Sequence, residues 1–134
     1  MSTEEHLPEL YFAGGLPGFP DARRFVLVRL GDEHSPFSVL RSLDDGADLE
    51  FVVTHPGMFF PDYEPEIDDD VAGRLELKTA EDALLLVIVT VADPVSTSTA
   101  NLLGPIVVNR HTRAAAQAVL GNSGYATREA LVRS

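Results

Sequence analysis

The segment from Phe59 to Asp70 concentrates the residue types that could do chemistry in this chain. Its twelve residues hold three aromatic rings, two prolines and six carboxylates. Carboxylates at this density could bind a cation, exchange protons with a substrate or attract a basic protein. Because burying so many charges would be costly, we expect the segment to lie at the surface. Aromatic rings beside charges of one sign favour a protein partner over a reaction.

The spacing of these carboxylates does not fit a dedicated metal site. A calcium loop of the EF-hand type needs a glycine at its sixth position and a glutamate at its twelfth. Counted from Asp62, the sixth residue is Ile67, and Pro65 stiffens the backbone. Weak, adventitious calcium binding stays open. The four histidines are scattered without metal-ligand spacing, so we expect neither a metal nor a cofactor.

The glycine-rich runs do not match catalytic motifs. The run from Gly14 to Gly18 lacks the Lys-Ser or Lys-Thr of a phosphate-binding loop. We interpret it as a tight turn that depends on Gly15, Pro17 and Gly18. Residues 121–124 lack the spacing of a nucleophile elbow. We therefore predict no catalytic residues, with a small carboxylate enzyme as the alternative.

Composition and charge narrow the class of protein. The 134 residues suit a single domain over 1–134, and the chain has no cysteine for a disulfide or a thiolate metal site. The net charge is −11, because residues 1–93 hold 20 acids against 6 bases and residues 94–134 hold 1 against 4. Such a charge repels nucleic acid and anionic membranes and attracts basic proteins, although it also serves plain solubility.

The N-terminus and the apolar runs predict a soluble, cytoplasmic protein with no membrane contact. The first six residues are acidic and lack the apolar stretch of a secretory signal. The longest apolar run, from Ala83 to Ala92, has ten residues, whereas a membrane-spanning helix needs about 20.

Short apolar runs between frequent prolines and glycines predict an all-β domain. One of these runs, Phe25 to Leu30, is almost wholly apolar, which is expected of a strand covered on both faces. The predicted strands are Glu9 to Ala13, Phe25 to Leu30, Phe37 to Leu43, Leu49 to Thr54, Leu84 to Val91 and Ile106 to Asn109.

Two further segments complete the predicted fold. The alanines of residues 114–120 favour a helix, but apolar residues there alternate with Gln117 and Val119, and we predict a strand. One short helix is expected near 69–75, capped by Asp68 and with acids in its first turn. Because short links favour antiparallel pairing, the mainly antiparallel strands should form a small flattened β-barrel or a sandwich.

Four runs of the sequence occur in an order and spacing found in a known family. They are residues 15–19, Phe37 with residues 40–44, residues 60–65 and residues 101–110. On these runs the chain resembles the FliW family of flagellar assembly factors, from about Leu10 to Tyr125. The Pro-Asp-Tyr-Glu-Pro run and the Ala-Asn-Leu run that leads into a Pro-Ile strand are the most specific parts of this resemblance.

The resemblance implies a small, cytoplasmic, β-barrel-like protein without catalytic activity, which we expect to be a monomer when free. FliW proteins bind flagellin and the carbon storage regulator CsrA, a dimeric RNA-binding protein that represses flagellin translation. The chain would then release CsrA when flagellin is plentiful and capture it, relieving repression, once flagellin is secreted. A flagellin-specific chaperone without a CsrA-binding role is the alternative. No direct contact with nucleic acid is expected.

We predict which residues contact partners and which only shape turns. Asn101 and Pro105 are expected in a turn, with the Asn101 side chain holding backbone groups. For Asp68, Asp69 and Asp70, the alternative to partner contact is helix capping and solubility. For Phe59 and Phe60, the alternative is core packing. The predicted partner-contact residues are Phe59, Phe60, Asp62, Tyr63, Glu64, Asp68, Asp69 and Asp70.

Overall fold

A computed structural model describes residues 9–16, 18–31, 35–43, 49–121 and 123–132. These residues form nine strands and one α-helix, α1 (Asp69–Arg74). The strands are β1 (Glu9–Phe12), β2 (Arg24–Arg29), β3 (Phe37–Ser42), β4 (Glu50–Thr54), β5 (Ala83–Thr90), β6 (Thr99–Ala100), β7 (Ile106–Asn109), β8 (Ala114–Gln117) and β9 (Glu129–Ala130).

Seven of the strands close into a barrel. Their order is β4-β3-β2-β1-β8-β7-β5, and pairing of β5 with β4 completes the circle. The pairs are antiparallel except β1 with β8, where Tyr11 lies opposite Ala114. The predicted all-β barrel with one short helix is therefore confirmed, with mixed rather than wholly antiparallel pairing.

The alternation of β5 explains why this strand is apolar throughout. Leu84, Leu86 and Ile88 point into the barrel, where they join an interior cluster. Val87 and Val89 point outward and are 0% and 5% exposed, because further chain covers this outer face. A strand buried on both faces needs apolar residues at every position.

An outer layer covers β5 on the side away from the barrel interior. It consists of residues 55–77, which include α1, and residues 123–132, which include β9. Phe60 and Leu131 pack with Val87 and Val89 of β5. Val71 of α1 and Leu75, which follows the helix, pack in a second cluster that includes Leu85 of β5. No helix in the described part of the chain has the length and apolar character needed to cross a membrane.

Two local predictions are settled by the structure. Residues 114–120 begin as strand β8, and the chain continues beyond it with the Ala118 N–H donating to Pro105 O at 2.9 Å. The run from Phe25 to Leu30 is not covered on both faces: Val26 and Val28 are half-buried and Leu30 is 44% exposed. The outer layer lies over β5 and its neighbours and leaves the outer face of β2 partly open to solvent.

Candidate functional site

Between the turn at residues 61–62 and the start of α1, the acidic segment buries and exposes alternate side chains. Tyr63, Pro65 and Ile67 are half-buried, whereas the residues between them are exposed. This is the two-residue alternation of an extended chain. The segment therefore presents what we call the acidic ridge, the exposed residues Asp62, Glu64, Glu66, Asp68, Asp69 and Asp70.

The two phenylalanines before the ridge have different positions. Phe60 is 2% exposed and packs against Val87 and Leu102. Its ring cannot contact a partner in this conformation, and we correct the predicted contact patch by removing it. Phe59 is half-buried and stacks on Phe37, with 5.9 Å between ring centroids and 21° between planes. Because Phe59 is partly exposed, it remains a predicted contact residue.

Tyr63 fixes the ridge to the rest of the outer layer. Its hydroxyl donates to Leu102 O at 2.6 Å, and its ring meets the ring of Tyr125 edge to face at 4.7 Å. The Glu64 N–H donates to the Tyr125 hydroxyl at 3.3 Å. Burial, and to a smaller degree Tyr125, raise the pKa of Tyr63 well above its ordinary value. Tyr63 is therefore an anchor that holds the neighbouring carboxylates outward.

The loop 101–105 receives this anchor because it bulges out of the barrel wall. Both β6 and β7 pair with β5, and these five residues stand opposite only two, Val87 and Ile88. The Asn101 side chain accepts from the Gly104 N–H at 2.9 Å, as predicted for a residue that holds backbone groups. The carbonyl of Gly104 in turn accepts from the Gln117 amide at 2.8 Å.

The C-terminal segment closes the other side of the same loop. The Leu102 and Leu103 N–H groups both donate to Ala126 O, at 2.9 and 3.2 Å. Tyr63, the loop and residues 125–126 thus form one junction, in which backbone donors and acceptors of the bulge find partners from distant parts of the chain. Pro105 is fully buried at the end of this loop.

The start of α1 confirms the predicted cap. The Asp68 carboxylate accepts from the Val71 N–H at 2.9 Å, and Asp69 and Asp70 occupy the first turn. Asp70 pairs with Arg74 one turn later at 2.9 Å, with both side chains largely exposed. Asp68 therefore has a structural task. Within the described residues, the carboxylates of Asp62, Glu64, Glu66 and Asp69 form no hydrogen bond or ion pair.

Of the predicted turn, the structure describes Gly15 and Gly18, while Pro17 lies outside the described residues. Gly15 has a φ of 69°, and a Cβ there would collide with the carbonyl oxygens of Phe19 and Pro20. The turn thus requires glycine at position 15. It follows β1, and none of its described residues is among those that form the junction around Tyr63.

A second group of titratable side chains is structural. The Asp82 carboxylate accepts from the Lys78 and Thr79 N–H groups, each at 3.0 Å, and lies 3.1 Å from the His111 ring. These backbone donors, first of all, lower the pKa of Asp82. Across the described ranges, no three His, Cys, Asp or Glu side chains are grouped so that they could hold a metal ion.

Comparison with known proteins decides the family. The family model described as FliW protein matches residues 2–131. The chain belongs to the FliW family. This confirms the resemblance seen in the four sequence runs.

Curated FliW relatives match along most of their length. Flagellar assembly factor FliW of Bacillus licheniformis is 41% identical over 120 residues, covering 90% of this chain and 82% of the relative. That of Geobacillus thermodenitrificans is 42% identical over 120 residues, covering 90% and 81%. That of Bacillus subtilis strain 168 is 40% identical over 119 residues, covering 89% and 82%.

A solved FliW structure has the same fold. The crystal structure of the flagellar assembly factor FliW aligns with a TM-score of 0.87 at 38% identity, covering 98% of this chain and 92% of that one. The curated relatives carry the name of an assembly factor and not of an enzyme.

Sequence reasoning missed two polar anchors of this FliW-family chain. Tyr125 holds the ridge although it lies 62 residues after Tyr63. Asn109 is 3% exposed; its amide donates to Leu75 O at 2.7 Å, and its side-chain oxygen accepts from the N–H of His111 at 2.8 Å. An asparagine at a strand end before a turn is a local signal that could have revealed the second anchor. No local pattern marks the first.

Proposed function

We propose that this FliW-family chain is a non-enzymatic regulatory binding protein of flagellar assembly in the cytoplasm. It binds flagellin and the RNA-binding translational regulator CsrA, and capture of CsrA relieves the repression of flagellin translation. The chain is a monomer when free. Membership of a family whose curated members are called flagellar assembly factors supports the flagellar role. The observation that carries the binding role is the acidic ridge.

The ridge suits a basic protein partner for two physical reasons. Its carboxylates stand outward on a segment that Tyr63 holds in place, so little conformational entropy is lost when a partner docks. Four of them, Asp62, Glu64, Glu66 and Asp69, have no partner within the described residues, so a cation of the partner displaces no internal contact. Exposed charges of one sign also accelerate encounter with an oppositely charged protein.

The same geometry argues against a reaction at the ridge. Catalytic acids and bases work from positions that converge on a substrate and exclude water. The ridge carboxylates are instead spread along an exposed segment and solvated. The half-buried side chains between them pack inward against the barrel wall. A docking role therefore fits the arrangement better than the carboxylate enzyme does.

Binding to CsrA tests the proposal with charge-matched variants. The double variant Glu64→Gln with Asp69→Asn removes two ridge charges, and Asp21→Asn with Glu81→Gln removes two exposed charges elsewhere. Calorimetry at low and high salt should show a complex that weakens with salt, and the ridge variant should weaken it about tenfold more than the control. Equal effects of the two variants would contradict docking at the ridge.

Flagellin binding separates the proposal from the chaperone alternative. The proposal expects the unmodified chain to bind monomeric flagellin and CsrA, each in a separate titration of purified proteins. Binding to flagellin with none to CsrA at low salt, with both proteins folded, would favour the chaperone. An additional competition titration, in which flagellin displaces CsrA, checks that one partner is exchanged for the other.

A further inference from the structure

A cavity of about 240 Å³ lies where the acidic ridge, the loop 101–105 and the C-terminal segment meet. It shares Asp62 with the ridge and extends beyond it, because its walls come from three parts of the chain. The walls include Phe60, Asp62, Tyr63, Leu102, Tyr125 and Glu129.

The size of the cavity suits one side chain. Pockets for metabolites and drug-sized ligands usually measure roughly 300–1,000 Å³. A space of about 240 Å³ falls below that range. An inserted side chain of a protein partner is the occupant that this size favours, since central pockets of protein interfaces commonly receive one anchor residue.

The lining of the cavity selects a cation. Asp62 and Glu129 line it, and within the described residues their carboxylates form neither an ion pair nor a hydrogen bond. The remaining wall is aromatic and aliphatic. A planar guanidinium can pair with a carboxylate through two N–H groups and stack on an aromatic face, whereas a lysine ammonium is compact and strongly hydrated.

The cavity is also held in shape before any partner arrives. Tyr63 bonds to Leu102 O at 2.6 Å and meets the Tyr125 ring at 4.7 Å, and Leu102 N–H bonds to Ala126 O at 2.9 Å. Each wall is thus tied to another wall. A preformed pocket loses little entropy on binding, so even one inserted side chain contributes to affinity.

We propose that this cavity receives an arginine side chain of the protein partner. The proposal deepens the proposed function and rests on it for the partner's biological role. Asp62 and Glu129 hold the guanidinium, and the rings of Tyr63 and Tyr125 pack beside its apolar stem. Tyr125 and Glu129 thereby become contact residues that the sequence did not suggest.

The test uses a probe of the side chain alone. N-acetyl-L-arginine amide is titrated into the full chain, and the amide NMR signals of Tyr63, Leu102 and Tyr125 are followed. The expected result is a saturable shift of these signals in the millimolar range. N-acetyl-L-citrulline amide has nearly the same shape without the charge, and the corresponding lysine amide has the charge without the planar group; both should bind more weakly.

Charge variants locate the probe. Asp62→Asn and Glu129→Gln should each weaken arginine binding about two- to fivefold, the effect of a partly exposed ion pair. Glu81→Gln, which changes the charge equally outside the cavity, should leave it unchanged. Equal shifts with citrulline, lysine binding as tightly as arginine, or equal effects of all three variants would each overturn the proposal. These results do not depend on the Glu64 and Asp69 variants, so either proposal can fail alone.

Discussion

The barrel interior and the outer layer on β5 are held together by different means. The interior cluster consists of hydrocarbon side chains such as Phe12, Phe25 and Leu40, packed with almost no exposure. The outer layer adds specific hydrogen bonds, above all from Tyr63 to Leu102 O. Apolar packing is non-directional and stabilises the barrel as a whole. Hydrogen bonds are directional and determine where one segment lies on the barrel. The carboxylates of the acidic ridge lie on the segment that these directional bonds position.

The interior should show the largest loss of stability on mutation. Phe25 is 0% exposed and meets the Phe12 ring at 5.3 Å. We expect Phe25→Ala to lower the free energy of unfolding by about 3–5 kcal/mol, measured by urea denaturation. Tyr11→Ala, at a ring that is 49% exposed, is the control and should cost under about 1 kcal/mol. If the alanine variant does not fold, Phe25→Leu should still cost more than the Tyr11 control.

Removing a single oxygen atom at the junction should cause an intermediate loss of stability. Tyr63→Phe keeps the ring but removes the donor to Leu102 O. We expect a loss of about 1–2 kcal/mol, since a partly buried hydrogen bond is lost while its acceptor, Leu102 O, remains. Tyr11→Phe is the matched control and should be neutral in the same denaturation experiment. Equal values for the two variants would mean that packing alone holds the outer layer.

The advantage of tyrosine at position 63 should depend on pH. The folded protein raises the pKa of Tyr63, so the unfolded chain ionises first as the pH increases. The stabilisation is complete below the ordinary tyrosine pKa of about 10 and is lost above it. The stability difference between the unmodified chain and Tyr63→Phe should therefore narrow as the pH rises from about 10 to 11. A constant difference over this range would contradict a buried hydroxyl.

The helix cap should contribute less to the free energy of unfolding than the interior or the junction does. Asp68→Ala removes the acceptor for the Val71 N–H and should cost about 1 kcal/mol in thermal or urea unfolding. Asp68→Asn retains a capping oxygen and should restore most of the stability. Asp69→Ala removes a charge from the same turn without removing the cap, and its cost should be well under that of Asp68→Ala.

The outward face of the ridge should contribute least to stability. Glu64→Gln changes an exposed side chain without a partner among the described residues, so the free energy of unfolding should change by less than about 0.5 kcal/mol. The same variant should weaken CsrA binding in the salt-dependent assay. A clear loss of folding stability would show that the exposed side chains of the segment also help to hold it on the barrel.

The sequence sufficed for features that depend on local patterns. The apolar pattern predicts the strand at Ile106–Asn109, and capping chemistry predicts the role of Asp68. The cost of burying charge predicts that the acids lie at the surface. The exposed positions within the segment also follow from alternation. Phe60 could not be assigned in the same way, because two adjacent phenylalanines carry no sign of which one enters the core.

Contacts between distant parts of the chain were beyond such reasoning. The parallel pairing of Tyr11 with Ala114 closes the barrel, yet neither residue signals its partner. Tyr125 contacts Tyr63 in the folded chain, and likewise neither residue signals the other in the sequence. The junction and its cavity are formed by residues far apart in the chain, so no local sequence pattern predicts them.

The pairing of β1 with β8 also sets an order of events during synthesis. The first described strand waits for residues 114–117 before the barrel can close. The ring of Tyr125 and the carbonyl of Ala126 come later still, and they hold Tyr63 and the loop 101–105. A nascent chain therefore lacks the finished acidic ridge until residues 125–126 have been made.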